Sequence, residues 1–139
     1  MTVVHNTNTS GGLDHFSVCC EGVVLSSHAK GGATVIAATG EIDASNIHQL
    51  TDYTQHFIGW RQPVVIDLTE LDFLGAQGIP ALLDIDGRCA DAGVEWALVP
   101  GRPVSRLLRI CDTDRRLPAV SSVDEAVKRF SGPSRAVGY

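Results

Sequence analysis

Side chains capable of covalent or metal chemistry are thinly spread over this 139-residue sequence, and few of them sit at a useful spacing. The four cysteines are Cys19, Cys20, Cys89 and Cys111. They form no Cys-x-x-Cys pair, and none falls at a strand-to-helix junction. Cys89 and Cys111 both fall on predicted apolar helix faces, where a thiol serves as a small hydrophobe. The five histidines, His5, His15, His28, His48 and His56, have no metal-ligand spacing. The "DID" and "DTD" triplets lack the rest of a calcium loop. No phosphate-binding glycine motif and no Gly-x-Ser-x-Gly elbow is present. These absences predict no catalytic residue, no metal site and no cofactor.

The position that invites chemistry is "GAQGIP", residues 75–80. It lies between a β-type run, "VVIDL" (64–68), and a helix-type run with Ile79, Leu82, Leu83, Cys89 and Ala90 on one side. A strand feeding a helix start exposes unpaired backbone N–H groups. Here the junction offers Gly75, Ala76, Gln77, Gly78 and Pro80, with no hydroxyl and no charge. Pro80 is welcome at the first position of a helix, so regular helix is expected to start near it. The preceding junction should then be long and irregular, with Gly75 and Gly78 free to take positive φ.

The flanking elements are legible from period and punctuation. "HFSVCCEGVVLSS" and "ATVIAATGEID" read as strands of a hairpin turning at "HAKGG". Asp43 or Ser45 is placed to cap an amphipathic helix carrying Ile47, Leu50, Phe57 and Ile58. "VVIDL" is apolar enough for a strand buried on both faces. Gly93 stands where a helix ends, and "VEWALVP" is the next strand. "VSRLLRIC" is a short helix with Val104, Leu107, Leu108 and Cys111 on one side. "LPAV" is a short last strand, and "SSVDEAVKRF" a final helix with a Ser122–Glu125 capping box. The order predicts an α/β fold: a mixed, mostly parallel sheet of four to five strands with about four helices.

The net charge of −5 gives no reason to expect nucleic-acid binding. No apolar run is long enough for a membrane span, and the start carries no leader pattern, so the expected address is cytoplasmic with reduced thiols. Arg102, Arg106 and Arg109 fall at i, i+4 and i+7, with Arg115 and Arg116 following. They suit an acidic partner segment or an anion. The simpler reading is a solvated face paired to Asp112 and Asp114.

Three blocks in order, "TGEIDASN", "VVIDLTELDFLGAQGIPALL" and "RPVSRLLRICDTDRRLPAVSSVDEAV", resemble a STAS domain, and more narrowly the bacterial anti-sigma-factor antagonists. The resemblance places a STAS domain at 15–131, between a flexible N-terminal arm (1–14) and a flexible tail (132–139). The family pattern at the junction is an apolar pair followed by Asp-Ser-Ser/Thr-Gly-Leu. Phe73 and Leu74 match the pair, and Gly78-Ile79 the last two residues. Gly75 stands at the Asp position, and Ala76 at the serine that a partner kinase phosphorylates. Gln77 stands at the second hydroxyl position. Asp43 matches an acidic residue near the partner surface, besides being a candidate helix cap.

What the resemblance implies is a non-enzymatic interaction module. It would bind an anti-sigma factor or a kinase-like regulator through Asp43, Gly75, Ala76, Gln77, Gly78 and Pro80, with no phosphorylation at the usual site. A phosphate there would add roughly −1.5 to −2 charges inside an interface, and Ala76 cannot carry one. The chain then resembles either the permanently unphosphorylated state or a relative whose switch has decayed. The alternatives are a sensor binding a nucleotide or small anion at the junction's N–H groups and, last, a thiol enzyme. The sequence sets no oligomeric state.

Overall fold

Two consecutive glycines, Gly31 and Gly32, adopt φ of 59° and 83°. A two-residue hairpin turn needs positive φ at both central positions, and the turn joins β3 (Val23–Lys30) to β4 (Ala33–Ile42) with Lys30 opposite Ala33. Strand β3 alternates, burying Val23, Leu25 and Ser27. The computed structural model describes residues 2–4, 16–20, 22–112 and 115–131.

The remaining elements are β1 (Thr2–Val4), β2 (Phe16–Cys20), α1 (Ile47–Ile58), β5 (Val64–Asp67), β6 (Leu71–Leu74), α2 (Gly78–Ala92), β7 (Trp96–Val99), α3 (Gly101–Cys111) and α4 (Val123–Ser131). The sheet runs β1-β2-β3-β4-β5-β7, antiparallel up to β4 and parallel beyond it. An α/β fold with a mixed sheet and four helices is what the sequence predicts.

Three strands were not foreseen: the run "HFSVCCEGVVLSS", read as one strand, is β2 and β3 paired antiparallel, and two more appear elsewhere. Thr2–Val4, inside the segment read as an arm, pairs with Ser17–Cys19. Strand β6 arises because the chain jogs after β5. Asp67 Oδ1 accepts the N–H of Thr69 at 3.0 Å and its hydroxyl at 2.7 Å, turning the backbone. The chain then rejoins the end of β4, with Leu71 opposite Gly40 and Leu74 opposite Ile42. "LPAV" is a single parallel bridge, Leu98 to Ala119, and not a full strand. Most of the arm and all of the tail lie outside the described residues.

Strands β5 and β7 are buried on both faces, which accounts for their unbroken apolar runs. Val64, Ile66, Trp96 and Leu98 pack under α1, α2 and α3. Val65, Ala97 and Val99 face α4 through Ala126, Val123 and Val127. On α2 the buried stripe is Ile79, Leu82, Ile85 and Cys89. Ala90, expected in that stripe, is exposed, and Ile85 takes the inward place. Gly93 ends α2 at φ 69°, with the Val94 N–H donating to the Cys89 carbonyl at 2.8 Å, the expected glycine C-terminus. Cys111 departs from expectation: α3 buries Val104 and Leu108 and leaves Cys111 exposed, because the helix lies against the sheet edge by a narrower stripe. At α4, Ser122 Oγ accepts the Glu125 N–H at 3.0 Å. The Glu125 carboxylate reaches Ser121, one residue before the expected box partner.

Candidate functional site

The site grows from the end of β4. Asn46 folds back on that strand: its Oδ1 accepts the Asp43 N–H at 2.9 Å, and its Nδ2 donates to the Glu41 carbonyl at 2.9 Å. Asn46 is also the residue preceding α1, so neither Asp43 nor Ser45 caps that helix. This corrects the capping expectation. Asp43 instead closes a short turn, accepting the N–H and hydroxyl of Ser45 at 2.9 and 2.5 Å. Those two bonds hold its carboxyl below the usual carboxylate range. Asp43 is exposed, and its side chain is fixed in direction at the surface.

The junction is tied to the same place. The Gly75 N–H donates to the Ile42 carbonyl at 2.8 Å. A turn follows, with Gly78 N–H on the Gly75 carbonyl at 2.8 Å and Ile79 N–H on the Ala76 carbonyl at 3.1 Å. Regular helix starts at Gly78, two residues before Pro80. The expectation of a late start and a long, irregular junction is therefore wrong. Pro80 occupies the third helical position, where its missing N–H would have reached back to Ala76, outside the helix. Nor do Gly75 and Gly78 use positive φ. Gly78 is needed for close approach, since a Cβ there would lie 2.5 Å from Leu74 Cδ1. At Gly75 a Cβ would sit 3.2 Å from Gln77 Oε1 and 3.6 Å from Asp43 Cα. The flexible amide of Gln77 can yield, so the family's Asp would fit at this position.

The fold thus brings Asp43 and residues 75–80 together. Asp43, Ala76, Gln77 and Pro80 are exposed, Gly75 is half-buried, and Gly78 is buried beneath Leu74. Among the described residues, the N–H groups of Ala76 and Gln77 have no protein acceptor. Phe73 completes the surface. It is 49% exposed beside Gly75, with Glu41 opposite it on β4 and Asp72 exposed next to it. The sequence places Phe73 in an apolar pair, but its partner Leu74 points inward and is 5% exposed. Strand alternation over "LDFL" would have buried Phe73 with Leu71; the register shift between Gly40 and Glu41, which skips Asp72, breaks that alternation and turns Phe73 outward.

Neither Cys89 nor Cys111 belongs to the site. Cys89 is buried on α2, where burial, with Asp86 adding to it, pushes its thiol up to about 12. His48 and His56 are exposed, and His56 lies against the rings of Phe57 and Trp60. No group of residues that could hold a metal occurs among the described residues. No helix there is long and apolar enough to cross a membrane. Of the two carboxylates in the simpler reading of the arginines, Asp114 lies outside the described residues. Asp112 accepts the backbone N–H groups of Arg116 and Leu117 at 3.0 and 3.1 Å, and pairs with no arginine side chain.

Residues 25–126 match the STAS domain family. Osmosensory protein A of Mycobacterium tuberculosis is 37% identical over 99 residues, covering 68% of this chain and 63% of that protein. The chain thus spans just under two thirds of that relative's length. Anti-sigma-F factor antagonist RsfA of the same species is 32% identical over 99 residues, covering 68% of this chain and 77% of RsfA. The crystal structure of an anti-sigma factor antagonist from Mycobacterium paratuberculosis superposes with a TM-score of 0.72 at 20% identity. It covers 82% of this chain and 98% of that one, a likeness of fold.

Proposed function

Because the chain belongs to the STAS domain family, we propose that it is a cytoplasmic, non-enzymatic interaction module of the anti-sigma-antagonist type. It docks an anti-sigma factor or a related kinase-like regulator through Asp43, Gly75, Ala76, Gln77 and Pro80, with Phe73 as the apolar contact and Gly78 holding the junction in shape. Binding needs no change of phosphorylation state at position 76. The observation that carries this reading is the exposed Ala76 methyl on a rigid turn beside a fixed Asp43 carboxylate. An interface of that kind combines an aromatic anchor with a polar rim. One relative is named an osmosensory protein and others anti-sigma-factor antagonists, and no contact on this chain favours the sensor alternative over docking.

The test is direct titration against the anti-sigma factors of the source organism, with and without prior incubation with kinase and ATP. Binding should be unaffected by that incubation, and mass spectrometry should find no phosphate within residues 69–80, where Thr69 is the sole hydroxyl. Failure to bind any of them, or phosphate at Thr69 that abolishes binding, would remove the proposal.

A further inference from the structure

The second surface with a marked chemical character is a groove beside α3, at the end of the sheet where β5 and β7 finish. Arg102, Arg106 and Arg109 line it from α3, facing Thr69 and Ser121 across an open volume of about 540 Å³. A second hollow of about 330 Å³ continues it, sharing Ser105 and Arg109 and reaching Arg115. Among the described residues, none of these four arginines has a carboxylate partner.

The carboxylates nearby are committed elsewhere. Asp67 holds Thr69, Glu125 holds Ser121, and Asp112 holds the backbone at residues 116 and 117. These bonds build the walls of the trough and, among the described residues, leave the guanidinium groups without a carboxylate; Asp114 lies outside those residues. The chain as a whole carries a net charge of −5, yet five of its eleven basic residues fall within 102–116. The positive field is therefore local and directional.

We propose that this groove binds an acidic, extended segment of a partner protein, at a surface separate from the junction. The geometry favours a segment over a single anion. Positions i, i+4 and i+7 share one helix face and span roughly 10 Å along it. Guanidinium groups strung along a line match successive carboxylates of an extended chain, which recur on one side about every 7 Å. A phosphate clamp instead needs its donors gathered on one point, a demand that three arginines spread over two helical turns meet less readily. Val120 and Pro100 supply apolar surface within the groove for the side chains between the acids.

The probe is a fluorescein-labelled peptide of alternating Glu and Ala, roughly ten residues long, with a Gln-for-Glu control. Anisotropy should show the Glu peptide binding and the Gln peptide not, with affinity falling as salt rises. The triple variant R102E/R106E/R109E should weaken binding about tenfold or more. Its melting temperature should be close to that of the parent, as all three side chains are exposed. If charge reversal disturbs folding, R102Q/R106Q/R109Q should give the same loss. Ala76→Glu should leave peptide affinity unchanged. Equal binding of the Glu and Gln peptides, or undiminished binding by a folded triple variant, would overturn the proposal. Displacement of the peptide by free phosphate at matched charge and ionic strength would overturn it too, marking a point-anion site.

Discussion

Helices α2 and α3 each begin where a parallel strand ends, β6 for one and β7 for the other. Neither has a side-chain cap, and neither carries an acidic residue in its first turn. Their surroundings are opposite. The start of α2 is closed by its own chain: Gly75 is bonded to Ile42, Gly78 lies under Leu74, and Asp43 stands alongside. The start of α3 opens into a trough lined by arginines. One helix start presents a small, rigid, neutral-to-acidic surface, and the other an extended basic one. Similar local architecture thus presents two kinds of surface, because packing behind the turn decides what remains exposed.

The largest expected effect breaks the closed side. Gly78→Ala forces a methyl into Leu74, which is buried, and should lower stability by about 1–3 kcal/mol in denaturant unfolding. The double variant with Leu74→Ala should lose less than the sum of the single losses, because the clash and the cavity relieve each other. Additive losses would mean that Leu74 is not what makes glycine necessary.

Next comes Ala76→Glu, which adds charge to the rigid turn beside Asp43 without entering the core. Partner affinity in calorimetry should fall by about 1–2 kcal/mol with the melting temperature unchanged. Unaltered affinity would move the docking surface away from the junction.

A third outcome is read against pH and concerns the packing behind α2. Burial raises the Cys89 thiol from 9.0 and the Tyr53 hydroxyl from 10.0, each to about 12. Between the unfolded and folded values the unfolded chain has released these protons while the folded chain keeps them. Stability is therefore fully present below about pH 9 and should decline as pH rises from there toward 12. Cys89→Ala should flatten the lower part of that decline and Tyr53→Phe the upper part. An unchanged profile in both variants would assign the alkaline loss to other groups.

The smallest effect is expected from Pro80→Ala. The proline already occupies a tolerated helical position, so melting should shift by less than about 1 kcal/mol in either direction. A larger stabilisation would show that Pro80 strains the first turn after all.

Much of the frame is legible along the chain. The unbroken apolar run at 64–66 announces a strand buried on both sides, and Gly93 and the Ser122 cap mark helix ends by local bonds alone. The junction is less legible. Its glycines invite a conformational explanation, but Gly78 is there for a contact with Leu74, and Gly75 has room for a side chain. Pro80 points to a helix start near itself, and the Gly75 bond to Ile42 sets it two residues earlier. Cys111 has the right helical spacing for burial, yet α3 meets the sheet edge and leaves it in solvent.

By itself the sequence determined the class of fold, the main elements and the absence of a hydroxyl at residue 76. These follow from side-chain period, backbone preference and composition, which act over a few residues. Only the tertiary structure decided that Asp43 serves the surface and not the helix cap. It alone exposed Phe73 beside Gly75 and, among the described residues, left the arginines of α3 without a carboxylate while Asp112 bonds the backbone. Asp43 and Asp112 bond donors only two to five residues away, but which of several near donors each carboxylate takes, and which side chain is left in solvent, is settled when the sheet and helices pack.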